Sequence, residues 1–143
     1  MALLLGQYVH NMDPKNRLFI PSALRDELGL KFVLCTPPNG EKCLFGYAVA
    51  DWQELTAIVN GQPSSRELRL RQRFTYLNVD TVTHDGQGRI TIKNSFCEYA
   101  GLEREVFILG VGRRIEIWDL STWNRILEAA KANNEFPAYD FPF

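Results

Sequence analysis

The sequence predicts an α+β protein made of one small β-β-α-β unit written twice. Three observations predict it: the chain repeats itself, the repeated stretches alternate apolar and polar residues over strand lengths, and each carries a short helical segment closed by glycine. Starting at Asp13 the chain reads DPKNRLFIPSALRDELGLKFVL, and starting at Asp85 it reads DGQGRITIKNSFCEYAGLEREVFIL. A shift of 72 residues lays Asp13 on Asp85, Arg17 on Arg89, Ile20 on Ile92, Leu24 on Phe96 and Gly29 on Gly101. After a small gap, CLFGYAVADWQEL matches RIEIWDLSTWNRIL at a shift of 71, placing Tyr47 on Trp118 and Trp52 on Trp123.

The units are expected over residues 1–60 and 79–132, with a connecting basic segment at 61–78 and a tail at 133–143. In a chain of 143 residues, each half alone (roughly 70 residues) would make a marginal core. Halves that share a core, or chains that associate, are therefore expected.

Each unit opens with a strand and a polar turn carrying Asp-x-x-x-Arg. A second strand follows over 18–20 or 90–92. Short helices then begin at Pro21-Ser22 and Asn94-Ser95, where Ser22 and Asn94 are expected to cap the first-turn amides. Gly29 and Gly101 stop them. Strands resume over 32–34 and 106–109, and again over 43–47 and 114–118. Asp51 and Glu54 read as a D-x-x-E capping box for the first closing helix. Ser121 starts the second, running from 122 to about 132. Residues 60–65, NGQPSS, read as a linker.

Composition excludes more than it selects. With 16 basic and 17 acidic residues, the net charge of -1 does not announce a nucleic-acid binder. DNA binding would need local clustering of the basic residues, or one small patch repeated across an oligomer. Cys35, Cys43 and Cys97 are odd in number and show no CxxC spacing; with only His10 and His84 beside them, no zinc pattern exists. Buried reduced thiols and no metal or cofactor are expected. The opening residues are too short and too uncharged for a signal sequence, and no run approaches the ~20 apolar residues of a membrane span. A cytoplasmic protein with no membrane partner is expected. No G-x-S-x-G, P-loop or partnered nucleophile points to an enzyme, and His84 beside Asp85 reads as a turn residue.

The Asp-x-x-x-Arg turns carry the functional signal. An Asp at a turn start bonds amides two residues on, and an Arg on the next strand pairs with it, which is a structural use. Here the pattern occurs at two equivalent places, around Lys15 and Asn16 in the first and Gly86, Gln87 and Gly88 in the second. Lys15, Arg17 and Arg89 offer cationic donors suited to phosphate or a guanine edge. Each arginine either pairs internally with its aspartate or reaches a ligand. Asp13 and Asp85 repel phosphate and are expected to fix the turns and aim the arginines.

The order GQYVHNMDPKNRLFIPSALRDELG, then DGQGRITI, then AGLEREVFILGVGRRIEIWDLSTW resembles the MraZ family over all but the last ten or so residues. The resemblance implies an AbrB-like swapped-hairpin barrel with pseudo-twofold symmetry. It further implies a homo-oligomeric ring and a sequence-specific, nucleoid-associated regulator of transcription. The implied target is double-stranded DNA carrying short direct repeats upstream of the division and cell-wall gene cluster. Mapped onto this chain, the DNA-contacting residues are Lys15, Asn16, Arg17, Gln87 and Arg89, and the turn-shaping residues are Asp13, Asp85, Gly86 and Gly88. Two departures stand out: Asn16 replaces the family's glycine before the first arginine, and Lys93-Asn94 occupies the place of Pro21-Ser22. An AbrB-fold protein-interaction or antitoxin-like module is the alternative reading.

Outside the turns, Arg66, Arg69 and Arg73 recur at helical spacing with Arg71 beside them, and read as a solvated face or a subunit contact. Arg113 and Arg114 read as an exposed turn. Trp52, Trp118 and Trp123 are assigned to core packing. Phe136, Tyr139, Phe141 and Phe143 in the tail are expected to dock on a neighbouring surface.

Overall fold

In chain order the first half forms β1 (Leu4–Asn11), β2 (Arg17–Phe19), α1 (Ser22–Leu28), β3 (Lys31–Cys35), β4 (Leu44–Ala48) and α2 (Val49–Asn60). A connecting helix, α3 (Arg66–Leu77), follows, capped by the Ser65 hydroxyl on the Leu68 amide. The second half then gives β5 (Val79–Thr83), β6 (Arg89–Thr91), α4 (Asn94–Ala100), β7 (Glu105–Gly112), β8 (Ile115–Asp119) and α5 (Leu120–Ala132). This computed structural model describes residues 1–135, so the tail aromatics Phe136, Tyr139, Phe141 and Phe143 lie outside the described residues. No helix among the described residues is long and apolar enough to cross a membrane.

The eight strands form a six-stranded antiparallel sheet, in the order β1-β7-β8-β4-β3-β5, and a separate two-stranded ribbon of β2 and β6. Most pairings cross between the halves. β1 pairs with β7, β5 with β3, β4 with β8 and β2 with β6. In the ribbon Leu18 lies opposite Ile90, its own counterpart at the shift of 72, and in the large sheet Phe45 lies opposite Glu116, its counterpart at 71. Neither half completes the sheet alone, which is how two stretches of marginal length share one core.

Strand alternation distributes side chains to both faces of the sheet. Phe32, Leu34, Ile108, Ile115 and Ile117 point into the larger core, where they meet Leu18 and Ile90 from the ribbon and Leu24 and Phe96 from α1 and α4. Cys35, Phe45, Phe107 and Trp118 point the other way, under Trp52 of α2 and Trp123 of α5. Both faces are covered, so the central strands read as nearly continuous apolar runs. Each large side chain fully buried here contributes roughly 1.5–3 kcal/mol by transfer from water. The three tryptophans pack as expected: Trp123 stacks on Phe107 at 4.9 Å between centroids and tilts against Trp118 at 5.8 Å. All three cysteines are buried and free of disulfides.

Several local expectations need correction. The caps of α1 and α4 are Pro21 and Lys93, both in extended backbone, and no side chain caps either helix. Ser22 and Asn94 stand one residue inside, too late to cap, and Asn94 Oδ1 instead accepts from the Asn16 side-chain amide. Gly29 and Gly101 close these helices with positive φ as expected, though only Gly101 adopts the left-handed helical conformation. The capping box at Asp51 and Glu54 does not form. β4 runs straight into α2, so the helix starts at Val49 and Asp51 falls in its first turn rather than at its cap. The Asp51 carboxylate, 1% exposed, accepts instead from the Ala2 amide at 2.9 Å. α5 likewise starts at Leu120, one residue before Ser121, whose hydroxyl donates to Asp119 at 2.6 Å.

Arg113 and Arg114 form the turn before β8 that their sequence suggests, with side chains 39% and 36% exposed, but both are paired. Arg113 bonds Glu54 at 2.8 Å and reaches Asp51 at 3.4 Å. Arg114 pairs with Glu116 at 2.7 Å and lies over the Phe45 ring at 4.3 Å. The other Glu116 oxygen accepts from the Trp118 indole. Arg113 thus ties α2 to the β7–β8 turn, while Arg114 spans the neighbouring strands β8 and β4.

The β1–β7 pairing has a sharp steric requirement. A Cβ on Gly110 would lie 2.6 Å from backbone atoms of Leu4 and Leu5, whereas one on Gly86 meets nothing within 4 Å. Gly110→Ala is expected to cost about 2 kcal/mol or more in urea unfolding, and Gly86→Ala less than about 0.5 kcal/mol. Equal effects of the two substitutions would refute the tight β1–β7 approach.

Candidate nucleic-acid interface

The two turns are built alike, bond for bond. In the first, Asp13 Oδ1 accepts from the Lys15 and Arg17 amides, each at 2.9 Å, and Asp13 Oδ2 accepts from Arg17 Nε at 2.6 Å. In the second, Asp85 Oδ1 accepts from the Gln87 and Arg89 amides at 2.8 and 3.0 Å, and Oδ2 accepts from Arg89 Nε at 2.9 Å. Main-chain bonds close each loop: Asp13 N to Arg17 O and Asn16 N to Asp13 O, repeated as Asp85 N to Arg89 O and Gly88 N to Asp85 O. A carboxylate is the side chain that can accept all three donors at once, and Asp is short enough to do so within its own turn.

Both turns need a residue at positive φ just before the arginine. Gly88 supplies it at +77°, and Asn16 supplies it at +59°. Asparagine is among the few non-glycine residues that tolerate this region, and the Asn16 side chain is further held across the halves by Asn94. The departure at Asn16 therefore leaves the first turn intact.

The ribbon brings the turns together. Ile20 N donates to Gly88 O and Ile92 N to Asn16 O, so each strand reaches into the other half's turn. Leu18 and Ile90 face the core, which places Arg17, Phe19, Arg89 and Thr91 on the opposite, outward face. The two arginines are diagonal neighbours on adjacent strands, about 7–8 Å apart. Each commits only Nε to its aspartate; their terminal amino groups bond no described residue, and their side chains are 33% and 29% exposed. Lys15 is exposed, with no carboxylate partner among the described residues. Gln87 and Gly86 are exposed on the second turn.

One cation beside this face escaped the sequence reading. Arg25 of α1 donates from Nε to Ile20 O at 2.7 Å and lies 5.4 Å from the Phe19 ring, which also takes an edge contact from His10. Its guanidinium occupies the space beside Gly88, where a Cβ would come within 2.7 Å of it. At the equivalent place in the second half stands Cys97, whose thiol approaches Ile92 O at 3.6 Å. The signal was present only in the pairing, since Arg25 meets a turn 63 residues away (25 to 88). The arginines of α3 are not part of this cluster. α3 lies against α2; Arg71 pairs with Glu67, and Arg69 bonds Ser64.

Electrostatics fit a face whose acids are neutralised by hydrogen bonds from their own turns. Partial burial pulls the Asp13 carboxyl up, but bonds from the Arg17 amide, the Arg17 side chain and the Lys15 amide outweigh it and hold the group below its ordinary value. Asp85 is likewise held low, first by the Arg89 amide and then, against some burial, by Gln87 and the Arg89 side chain. Both acids therefore stay ionised and fully engaged. The thiols offer no nucleophile: burial pushes Cys35 up to about 12 and raises Cys43 and Cys97 as well.

Comparison with known proteins decides the family. Residues 3–73 and 76–139 match the family described as "MraZ protein, putative antitoxin-like". The chain belongs to the MraZ family. Among its MraZ relatives, the transcriptional regulator MraZ of Caldicellulosiruptor saccharolyticus is 41% identical over 124 residues, covering 86% of this chain and 85% of that protein. The transcriptional regulator MraZ of Acetivibrio thermocellus is 40% identical over 122 residues, covering 85% and 84%. That of Lactobacillus gasseri is 37% identical over 139 residues, 96% of each chain.

The lowered carboxyl values fix the sign of an acid titration. A carboxyl held below its unfolded value stabilises the turn fully above the ordinary 3.8, and that contribution is lost as pH falls through the lowered folded value. Carboxyl-carbon NMR titration is expected to place both midpoints below 3.8. Arg17→Gln is expected to raise the Asp13 midpoint while leaving Asp85 in place. Movement of both midpoints, or of neither, contradicts two independent Asp–Arg braces.

Proposed function

We propose that this MraZ-family chain is a sequence-specific DNA-binding regulator of transcription, not an enzyme, and that the outward face of the β2–β6 ribbon meets the duplex. One observation carries the reading. Two arginines, each braced at Nε by an aspartate, present their remaining donors side by side on one face. That arrangement matches paired acceptors on phosphate or on the O6/N7 edge of guanine. Lys15, Arg17 and Arg89 are the cationic contacts, and Asn16 and Gln87 are the polar ones. Asp13, Asp85, Gly86 and Gly88 shape the turns, and the open space around Gly86 lets a partner approach the backbone closely there. Arg25 adds a fourth cation at the second turn.

The crossed strand pairing, with Leu18 opposite Ile90 and Phe45 opposite Glu116, supports an AbrB-like swapped-hairpin barrel whose two halves are related by a pseudo-twofold axis. A single near-neutral chain offers few cations, so the reading includes a homo-oligomeric ring that repeats the face. Tethered contacts gain roughly 10²-fold in avidity without new chemistry, provided the target carries regularly spaced short repeats. The proposed target is a set of direct repeats upstream of the division and cell-wall gene cluster that includes the chain's own gene, and the proposed setting is the cytoplasmic nucleoid. A second reading follows the antitoxin-like wording of the family description: the same barrel as a protein-interaction module.

A binding titration separates the two. DNA upstream of the chain's own gene is compared with random duplex at two salt concentrations, for wild type and for Lys15→Ala, Arg17→Ala and Arg89→Ala. Wild type is expected to prefer the upstream DNA. Each variant is expected to bind at least about 10-fold more weakly, with a salt slope shallower by about 0.9 for each phosphate that the variant leaves un-neutralised on a bound face. Wild-type indifference to sequence favours the interaction module, and unchanged affinity in all three variants removes the turns from the interface.

A further inference from the structure

On the face away from the ribbon, α2, α3 and the ends of β3 and β4 enclose an open groove of about 450 Å³. Its walls are Cys35, Phe45, Tyr47, Trp52, Phe74 and Tyr76, so both floor and rim are aromatic. Phe74 at the rim is 63% exposed, and Leu70 and Leu77 flank it at 48% and 69% on the same side of α3. Spacings of four and three residues make these a continuous apolar stripe turned to water. Such a stripe beside an aromatic groove marks an interaction site rather than scattered surface leucines. Arg69 lies one turn before Gln72 and two turns before Tyr76, both groove residues of α3, and Arg73 is next to Phe74 in sequence. Neither pairs with a carboxylate among the described residues.

The chain itself contains a segment of matching chemistry. Residues 133–143 read NNEFPAYDFPF: four aromatic residues, two acids, no base. Its acids complement the two arginines and its aromatics suit the groove. Pro137 and Pro142 favour extended backbone, which lowers the entropy lost on docking. Beyond Glu135 the eight remaining residues span at most about 27 Å when extended. α5, which leads into this segment, packs on β7 and β8, whereas the groove lies on the β3–β4 half of the sheet.

We propose that residues 135–143 of one copy occupy the α2–α3 groove of a neighbouring copy, with the aromatics in the groove and Glu135 and Asp140 against Arg69 and Arg73. Tail and groove sit on different parts of each chain, so the contact is heterologous and runs from copy to copy, closing into a ring where its rotation allows. The inference rests on the proposed homo-oligomer and names the surfaces that build it.

The test uses the full chain, a variant with Phe136, Tyr139, Phe141 and Phe143 all replaced by serine, and Phe74→Glu, with circular dichroism to show that each folds. In sedimentation velocity the wild type is expected to run as an oligomer and both variants as smaller species at the same concentration. A labelled peptide of residues 133–143 is expected to bind the serine variant and to protect Trp52 from acrylamide quenching. Adding Phe74→Glu, or Arg69→Glu should the former fail to fold, is expected to weaken that binding about 10-fold or more. Full assembly of the serine variant, absence of peptide binding, or a wild type that is monomeric at every concentration overturns the proposal. Failure of the DNA reading would show separately, as an assembled wild type that treats upstream and random duplex alike.

Discussion

The pairing of β2 with β6, with Leu18 set opposite Ile90, is the constraint on which the rest of the molecule depends. It is short, three residues to a strand, and it joins the two halves of the chain rather than neighbours in sequence. Because Leu18 and Ile90 must point into the core, the residues on either side of them must point out. The outward placement of both arginines is thus a consequence of burying two aliphatic side chains. The hydrophobic effect sets the position of the charges, and the turns only fix their orientation.

Within each turn the aspartate fills a role that no neutral residue would match. It satisfies two amides and one guanidinium nitrogen with two oxygens, and it lowers the freedom of an arginine that would otherwise sample many rotamers. Surface ion pairs contribute little to stability in general, typically about 0–1 kcal/mol. Their value here is geometric. A braced guanidinium loses less entropy on meeting a ligand than a free one, which suits a protein whose overall charge gives it no long-range attraction to polyanions.

Much of the turn architecture was legible in the sequence, because Asp-to-amide bonds, glycine conformation and strand alternation are local properties. The core tryptophans and buried thiols were legible from side-chain chemistry. What escaped was set by long-range packing. Asp51 carries the pattern of a capping residue, yet the chain buries it against the Ala2 amide and Arg113, partners 49 and 62 residues distant. Arg114 looks like a surface charge next to its neighbour Arg113, but β4 brings Phe45 beneath it. Arg25 reads as an ordinary helix-surface cation until the ribbon carries the second turn underneath. The caps of α1 and α4 failed by a single residue, which is the scale on which local signals blur, whereas Asp51 missed the α2 cap by three.

The exchange of Arg25 for Cys97 at matched places has a consequence of its own. Two halves with identical chemistry would give the ribbon a face that looks the same from either end. Here one end carries an extra fixed guanidinium and a glycine, and the other a thiol and an asparagine tied to Asn94. A face with unlike ends has a heading. Laid against a surface whose own two ends differ, it would fit differently when turned around, so each copy would distinguish one orientation from the other.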